Sequence, residues 1–584
     1  MKIGTWCEVD SLETLEKAVF SLKNKGVDIL NFAEFRHLLK TQVFTHIPND
    51  LSVETRLHDR ILNASAFEIA KETELPPHEY KRLRVAVLLK KQNEKYKKRI
   101  LHETQILNHL RTKETVSLLD FQNYLSTFFK PSFEPFFSQR AFNLHIDQLK
   151  AHSYITAGSR HGKSELVKRL VYGVMESGQS AIVLDPHGDL ATQIAQWKEF
   201  SEHPEKLVYF NAYAFGDNLH SIPVLNPLAP LKNALERDSV VSGFIDTLTS
   251  VIDDKDAPSD RMKSILKACL YTFASYGQEV DLYDLLDFLG TGERAEYWKN
   301  QAKKLLTNQS LLAMVEDFDK SEYKNTKTAI RDRLRVLLAS DALDSCLVGK
   351  NTINLADAMD SGKIIVFDLS KGRLGRDSSN AFGRLLLSAI SGNAMQRQTT
   401  NKHHRKPVFL FMDEGDNYMS PSVIEIYKET GKYGLFITFI QQVAGYGMSS
   451  EEWRVLKTNS LLRFGGNVGG DGDGAKIVSE ILDTPKEDIL NLTKGNFWLK
   501  YGTGTPQKIR IGLELIDDRN AMTDEQWQQV QEYQKAHYYR EKIAREAHQN
   551  ENHKEQEEPQ QHKPKEPKKP QKDGKKSPLD FDLD

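Results

Sequence analysis

The amino-acid sequence predicts an α/β protein in which a mostly parallel central sheet carries an all-α insert and follows an N-terminal helical region. Three observations support this fold class. A glycine turn joins a strand to a basic helix near residue 160, five apolar runs have the length of buried strands, and two long stretches show helical periodicity. Continuous apolar runs indicate strands that are covered by helices on both faces of a sheet.

The segment that reads YITAGSRHGKS, residues 154–164, predicts a phosphate-binding loop followed by a helix. It fits the pattern G-x-x-x-x-G-K-[ST] except that Ala157 replaces the first glycine. Backbone N–H groups and a helix N-terminus converge in such a loop, which suits a polyphosphate. Lys163 is expected to reach the β- and γ-phosphates, and the Ser164 hydroxyl to bind Mg²⁺. An ordinary glycine turn before a basic helix is the simpler alternative. The predicted nucleotide-binding residues are Ala157, Gly158, Ser159, Arg160, His161, Gly162, Lys163, Ser164 and Glu165.

Residues 406–414, which read KPVFLFMDE, predict a central strand that ends in two carboxylates. Open parallel sheets bind their ligands at the carboxyl ends of the strands. We expect Asp413 to hold Mg²⁺ through water and Glu414 to polarise the water that attacks the nucleotide. The alternative is that the acidic pair only ends the strand and begins a solvated loop.

Three further runs predict strands of the same sheet. Residues 180–184 lead into a rigid turn, 185–189, which reads DPHGD. Residues 363–370 lead into the sequence KGRLG. Residues 435–440 lead into Gln441 and Gln442, where a side-chain amide could sense the γ-phosphate or orient water. Helical stretches separate the five strands, so the predicted sheet is open and its active edge lies at the strand ends.

Together these motifs resemble the HerA–FtsK superfamily of RecA-like P-loop NTPases, and within it the TraG/TraD-like coupling ATPases of conjugation and type IV secretion. The resemblance covers about residues 140–520. It implies a motor that uses ATP and Mg²⁺ to move DNA independently of sequence and that acts as a homo-oligomer, usually a hexamer. It also implies Lys163, Glu414 and Gln442 as catalytic residues and Ser164 and Asp413 as metal residues. The motifs that carry the resemblance are VLDPHGDL (183–190), LNPL (225–228), IIVFDLSKG (364–372), FLFMDE (409–414) and GKYGLFITFIQQ (431–442).

The sequence departs from this family at two points. The family usually has Arg-Lys before the last motor strand, where the arginine acts on the neighbouring subunit's nucleotide, but here the pair is Gly431-Lys432. Lysine lacks the guanidinium fork, so Lys432 would be a weaker replacement. The second departure is that no apolar stretch reaches the roughly 18–20 residues of a membrane-spanning helix. Other arginines that could replace the missing one are Arg373, Arg376, Arg454 and Arg463.

The composition of the chain indicates the cellular compartment and the way in which DNA could be bound. The chain has 584 residues, a net charge of −2 and three cysteines that form no C-x-x-C pair. A reducing compartment and a cytoplasmic location fit these data. Peripheral attachment to a membrane partner, at the inner face of the membrane, is a second location that fits them. The near-zero net charge gives no global signal for DNA, so DNA attraction must come from local basic faces. Arg331, Arg333 and Arg335 could form one such face, or could be paired with acidic neighbours such as Asp332.

The pattern along the chain predicts five regions. They are an N-terminal helical domain (1–125), the first part of the motor (126–229), the all-α insert (230–345), the second part of the motor (346–540) and a charged tail with an acidic tip (541–584). The tail lacks apolar residues for a core and is expected to dock relaxase or secretion-channel components. The glycine-rich segment 465–474 is expected to be a flexible loop near the subunit interface or the pore.

Two other functions remain open at this stage. One is a HerA-like helicase or translocase in repair or anti-phage defence, which the missing membrane helix favours. The other is a DNA-recruitment adaptor with weak ATPase activity, which Gly431 and the docking-like tail favour. The sequence leaves undecided the strand preference, the direction of movement and the size of the ring.

Overall fold

The computed structural model describes residues 1–6, 140–217, 219–228, 241, 244–245, 260–469, 472–511 and 520–542. Almost all of the predicted N-terminal helical domain and the charged tail lie outside these residues. The described strands are β1 (Lys2–Trp6), β2 (Arg140–Asn143), β3 (Ser153–Thr156), β4 (Ser180–Asp185), β5 (Leu207–Phe210), β6 (Ser221–Ile222), β7 (Ile364–Asp368), β8 (Val408–Met412), β9 (Leu435–Gln441), β10 (Leu462–Gly465), β11 (Asn496–Tyr501), β12 (Gln507–Arg510) and β13 (Arg540–Glu541).

Eleven of the described strands form one sheet in the order β2-β1-β12-β11-β10-β3-β9-β8-β4-β7-β5. Seven neighbouring strands, from β10 to β5, run parallel to one another. The remaining four continue the sheet antiparallel from β10. The predicted α/β fold with a mostly parallel central sheet is confirmed.

The register of the parallel strands brings their carboxyl ends to one edge of the sheet. Thr156 at the end of β3 pairs with Gln441 at the end of β9. Asp185 at the end of β4 pairs with Asp368 at the end of β7. Met412, which ends β8, lies between them because it pairs with both β4 and β9. The segments that follow these strands therefore meet along one line, where the sequence predicted a site.

The parallel strands are buried because helices cover both faces of the sheet. In β4, Ile182 and Leu184 belong to one hydrophobic cluster, whereas Ala181 and Val183 belong to a second cluster on the opposite face. This alternation has the period of two residues that a pleated strand imposes. All four side chains have no solvent exposure. The described helices outside the insert are Ile146–Leu149, Lys163–Glu176, Asp189–Ala195, Glu199–Glu202, Leu355–Asp360, Lys371–Leu374, Arg376–Gln396, Pro421–Glu429, Ser450–Asn459, Gly472–Leu482, Lys486–Leu490 and Asp524–Tyr538.

In the segment between β6 and β7, the structure describes six α-helices within residues 260–347 and a further helix at Leu355–Asp360. Trp298 lies at the centre of this insert, with its ring 4.8 Å from that of Phe273 and 6.2 Å from that of Phe288. Cys269 also lies in the core of the insert, since its side chain has no exposure. The insert helices are Asp260–Tyr276, Leu282–Phe288, Glu293–Leu305, Gln309–Glu316, Ser321–Leu338 and Asp341–Leu347.

Residues Lys2–Trp6 form a strand of the large sheet, although the sequence analysis placed them in a helical domain. Leu144 N–H donates to the Met1 carbonyl at 2.9 Å, and the Met1 amino group donates to the Leu144 carbonyl at 3.0 Å. Gly173 in the helix Lys163–Glu176 leaves room for Met1, since an added Cβ there would lie 2.2 Å from the Met1 sulfur. No periodicity can be recognised in so short a strand. Among the described residues, no helix is long and apolar enough to cross a membrane.

The C-terminal helix Asp524–Tyr538 covers the outer edge of the sheet. Gln534 Oε1 accepts the Tyr209 N–H of β5 at 3.0 Å, and Gln534 Nε2 donates to the Leu207 carbonyl at 2.9 Å. The side-chain amide thus supplies hydrogen bonds that a further strand would otherwise give to this edge. Tyr539 continues the contact, since its hydroxyl donates to the Tyr209 carbonyl at 2.7 Å.

Candidate active site

The predicted phosphate loop connects β3 to the helix Lys163–Glu176 in a tight turn. Arg160 and Gly162 have left-handed backbone conformations, with φ of 63° and 100°. Gly162 is the residue before the first helical turn, and glycine takes this conformation at little cost. The free N–H groups of that turn and the helix dipole together favour an anion at this point. The local backbone is therefore that of an anion-binding loop.

The glycine-rich segment after β10 lies directly against the phosphate loop. Gly158 N–H donates to the Asn467 carbonyl at 2.8 Å, and both side-chain hydrogens of Asn467 are used on the Leu490 and Leu492 carbonyls at 2.8 Å. An added Cβ on Gly466 would come within 2.7 Å of the Ala157 Cβ. The glycine at 466 thus permits a close backbone approach. The described part of segment 465–474 supports the loop, a role that the sequence analysis did not identify.

Lys163 and Asp413 both lie at the carboxyl edge of the sheet and interact electrostatically. Asp413 N–H donates to the Leu184 carbonyl at 3.1 Å and so extends the pairing of β8 with β4. Burial raises the pKa of Asp413 to about 6, with a further increase from Asp185, whereas the Lys163 ammonium opposes the shift. Burial lowers the pKa of Lys163, and the carboxylates of Asp413 and Glu414 oppose that shift. The two predicted groups are therefore within electrostatic range of each other.

Glu414 follows in a left-handed conformation with φ of 44°, which is strained for a residue other than glycine. Its Oε1 lies 2.7 Å from His187 Nε2 and 3.2 Å from Gln442 Nε2. Its Oε2 lies 2.9 Å from Lys371 Nζ and 3.1 Å from Asn417 Nδ2. Burial alone would raise the pKa of Glu414, but the hydrogen bonds and charges of His187 and Lys371 outweigh burial and lower it to about 2.

The two glutamines after β9 have different surroundings. Gln441 is buried, where its Oε1 accepts from the Tyr154 hydroxyl at 2.9 Å and from the Gly445 N–H at 3.1 Å. Gln442 is exposed and turns toward Glu414. The structure thus puts Gln442 beside the carboxylate, while Gln441 joins β3 to the loop after β9.

Two further aspartates end neighbouring strands behind this group. Asp185 is fully buried and accepts the N–H groups of His187 and Ala191, both at 2.9 Å. Burial raises the pKa of Asp185, although these backbone donors oppose the change. Asp368 accepts from Asn211 Nδ2 at 2.7 Å, and burial raises its pKa to about 6. Asp185 adds negative charge close to Asp413, and Asp368 adds negative charge close to Asp185.

The remaining predicted residues lie on the surface of the loop and the first helical turn. Ser159, Arg160 and Ser164 are exposed, and Glu165 Oε1 lies 3.2 Å from Lys168 Nζ. The His161 Nδ1 atom is buried without a hydrogen-bond partner. A half-buried carboxylate with a raised pKa, a nearby lysine and an anion-binding helix terminus together fit a magnesium nucleotide. Among the described residues, no group of three His, Cys, Asp or Glu side chains could hold a metal ion unaided.

His187, Lys371 and Asn417 are site residues that the sequence analysis did not single out. His187 and Lys371 lie in the motifs DPHGD and SKG, so their position at strand ends was a usable signal. Nothing in the local pattern indicated that both would turn toward Glu414. Their convergence depends on the order of β8, β4 and β7 in the sheet, which is a tertiary property.

The arginines that could replace the missing family arginine have defined contacts. Arg463 donates to three backbone carbonyls, those of Ser460, Ile481 and Lys457. Arg454 forms two hydrogen bonds with Glu451, at 2.8 and 3.0 Å. Arg373 lies over the ring of Tyr213, 5.4 Å from its centroid. Arg376 is exposed, and so is Lys432.

Comparison with known proteins finds one similar family model and several similar solved structures. A family model described as type IV secretory system conjugative DNA transfer matches residues 89–363. Among solved structures, the plasmid coupling protein TrwB bound to the non-hydrolysable ATP analogue ADPNP is 14% identical, with a TM-score of 0.48, over 63% of this chain and 86% of that chain. VirB4 of Thermoanaerobacter pseudethanolicus is 16% identical, with a TM-score of 0.42, over 62% of this chain and 89% of that chain. No curated protein sequence matches. Residues 89–363 are therefore similar to the type IV secretory family of conjugative DNA transfer.

Proposed function

We propose that the protein is an ATPase that couples hydrolysis to the movement of DNA in conjugative transfer. One observation carries the proposal: Lys163 of the phosphate loop lies within electrostatic range of Asp413 and Glu414 at the carboxyl edge of a parallel sheet. The family match supplies the biological setting. The nucleotide would lie on residues 157–164, with its phosphates at the N-terminus of the helix Lys163–Glu176.

Each residue has a distinct part in the proposed reaction. Lys163 would bind the β- and γ-phosphates, while Ser164 and Asp413 would hold the metal ion. Bound Mg²⁺ would neutralise negative charge on the phosphates during the displacement. Glu414 would orient and polarise water, and Gln442 beside it would register the γ-phosphate. Catalysis of this kind depends on position and electrostatics, so small displacements of these groups are costly.

DNA and oligomer contacts form the second part of the proposal. DNA would be bound through phosphates, with no reading of bases, and the active form would be a homo-oligomer, usually a hexamer in this family. Arg335 Nη1 lies 3.1 Å from Asp332 Oδ1, so this part of the predicted basic face is paired in the described structure. Arg333 Nη1 contacts the Met262 sulfur. We therefore assign a smaller part of DNA binding to the helix Ser321–Leu338 than the sequence analysis predicted.

A hydrolysis assay tests the enzymatic part of the proposal. The full-length protein is incubated with ATP and Mg²⁺, alone and with single- or double-stranded DNA. We expect hydrolysis that DNA accelerates and that Lys163→Ala reduces to background. Hydrolysis that neither form of DNA changes would contradict the motor and favour an adaptor with weak ATPase activity.

Purification from the native cell tests the biological setting. We expect relaxase or secretion-channel proteins to accompany the full-length chain and to be lost when residues 541–584 are deleted. Recovery of a nuclease instead would favour the repair or defence function. A membrane partner would appear in the same experiment if the fraction that sediments with membranes also contains a secretion-channel protein.

A further inference from the structure

The Glu414 carboxylate is fully occupied by hydrogen-bond donors. His187 and Gln442 occupy Oε1, and Lys371 and Asn417 occupy Oε2. A carboxylate offers about four lone-pair sites in total. A water molecule therefore has no acceptor site on Glu414 in this arrangement. At least one of the four donors must leave before Glu414 can polarise an attacking water.

Lys371 is the donor most suited to leave. Asn417 belongs to the same turn as Glu414 and also donates to its backbone carbonyl at 3.0 Å. His187 is fixed because its backbone N–H donates to Asp185. Lys371 has a fixed backbone, since its N–H donates to the Pro186 carbonyl at 2.9 Å, but its ammonium sits on a flexible four-carbon stem. The full positive charge of Lys371 is also attracted more strongly by a γ-phosphate than the neutral amide of Gln442.

The distances allow Lys371 to reach the γ-phosphate. A water polarised by Glu414 lies about 3 Å from the carboxylate and about 3–3.5 Å from the phosphorus that it attacks. The Lys371 ammonium is 2.9 Å from Glu414 Oε2. The ammonium therefore begins within about 9 Å of the phosphorus, and a change of side-chain rotamer can close much of that distance.

Two other cations that could serve the γ-phosphate are engaged elsewhere in the described structure. Arg463 is bound to three backbone carbonyls, and Arg454 is paired with Glu451. Lys371 is 22% exposed and already in the site. Transfer of a phosphoryl group needs positive charge beyond that of the loop lysine and the metal. A second lysine within the same subunit can supply part of it.

We infer that Lys371 is a second catalytic lysine, which neutralises Glu414 before ATP binds and contacts the γ-phosphate afterwards. The exchange releases a lone pair on Oε2 for the attacking water and adds positive charge to the transferred group. This inference rests on the proposed function, because it assigns a residue to that same hydrolysis reaction. It differs from a purely supporting role, in which Lys371 would act only by holding Glu414 in place.

The test compares affinity for ground-state and transition-state ligands in the full-length protein. We measure kcat for ATP, and Kd for ADP and for ADP with aluminium fluoride, in the wild type, Lys371→Ala and Lys371→Arg. We expect Lys371→Ala to lower kcat by about a hundredfold to a thousandfold. Affinity for ADP should change by less than about threefold, whereas affinity for ADP with aluminium fluoride should fall by a factor close to that in kcat. Lys371→Arg should restore part of both losses.

A Glu414→Gln background separates the two roles of Lys371. If the ammonium contacts the transferred group, adding Lys371→Ala to Glu414→Gln lowers the affinity for ADP with aluminium fluoride again. If the second substitution has no effect, Lys371 acts only through Glu414 and the inference is wrong. Unchanged ADP affinity in each variant shows that the protein has folded.

Lys363→Ala is the matched control, since Lys363 precedes β7 at the opposite edge of the sheet and loses the same charge. We expect its kcat to equal that of the wild type. If neither wild type nor control hydrolyses ATP, with or without DNA, the proposed function fails and the inference with it. If the wild type hydrolyses ATP and Lys371→Ala does so at the same rate, the inference alone fails.

Discussion

Asp413→Asn is expected to stabilise the nucleotide-free protein while it abolishes hydrolysis. The pKa of Asp413 is raised to about 6 by burial and by Asp185, against about 3.9 for an unperturbed aspartate. Two pKa units correspond to about 3 kcal/mol at neutral pH, as an upper value, because the side chain retains some exposure to water. We therefore expect a gain of about 1–3 kcal/mol in the free energy of unfolding. Asparagine keeps the oxygen that accepts the Glu414 N–H but loses the charge needed for Mg²⁺.

The raised pKa of Asp413 determines how the stability gain of Asp413→Asn depends on pH. A carboxyl group with a raised pKa in the folded state binds more protons folded than unfolded between about pH 4 and pH 6, so the wild type loses stability as pH rises through this window. The gain of Asp413→Asn should thus be near zero at pH 4 and complete above about pH 7. Urea unfolding at several pH values, without nucleotide or Mg²⁺, measures it. Asp357→Asn, in an exposed first helical turn, is the control and should shift stability by less than about 0.5 kcal/mol.

A loss of stability in Asp413→Asn at pH 7.5, or a gain that does not vary with pH, would refute this reasoning. The same variant should lose at least about a thousandfold in ATP hydrolysis, since the remaining residues cannot hold the metal ion. The single substitution Asp413→Asn would then raise stability and lower activity, as expected when a residue is retained for function and not for stability.

Three further predictions concern the loop, its support and the sheet edge. Lys163→Ala should weaken ATP binding at least tenfold and reduce hydrolysis to background, because no other group of the loop carries its charge to the β- and γ-phosphates. Gly466→Ala should raise KM for ATP about tenfold, since the new Cβ would lie 2.7 Å from the Ala157 Cβ and displace the loop. Gln534→Ala should lower the free energy of unfolding by about 2–3 kcal/mol, measured in urea, because it leaves the Tyr209 N–H and a carbonyl of β5 without partners.

Each of these predictions has a distinct contrary result. If Lys163→Ala binds ATP as strongly as the wild type, the nucleotide does not bind at the loop that contains Lys163. If the KM for ATP is unchanged both in Gly466→Ala and in the control Gly504→Ala, the phosphate loop does not depend on the close approach of Gly466 to Ala157. Gln534→Ala should keep its hydrolysis rate below the unfolding transition, so a fall in kcat without a fall in stability would give the C-terminal helix a catalytic role.

The strands that end at the site could be predicted because each is an apolar run that ends in a polar motif. The runs at 180–184 and 435–440 became β4 and β9 within one residue. The phosphate loop and the Asp413-Glu414 pair were recognisable for the same reason, since local backbone geometry and chemistry require those residue types. The helical character of the insert was predictable from periodicity, and the helix Asp260–Tyr276 is an example of a described helix in this region.

The antiparallel extension of the sheet could not be predicted from such patterns. β10, β11 and β12 are short and contain charged residues such as Arg463 and Lys500, which obscure the apolar alternation. β1 is separated by more than 130 residues from its partner β2, so the pairing is a property of the folded chain. The donors around Glu414 were missed for the same reason. They arrive from the ends of different strands, and only the strand order brings them together.

The strand order also explains how the site can attract a divalent cation although the chain as a whole is nearly neutral. Asp185, Asp368 and Asp413 end or follow three adjacent strands, and burial raises the pKa of each carboxyl group. Asp185 and Asp368 already accept backbone N–H groups, so their charges act on the site through the field rather than as metal ligands. A cation bound at Asp413 would relieve this unfavourable charge, and part of its binding energy would appear as stabilisation of the fold. Mg²⁺ with nucleotide should therefore raise the unfolding temperature of the wild type more than that of Asp413→Asn.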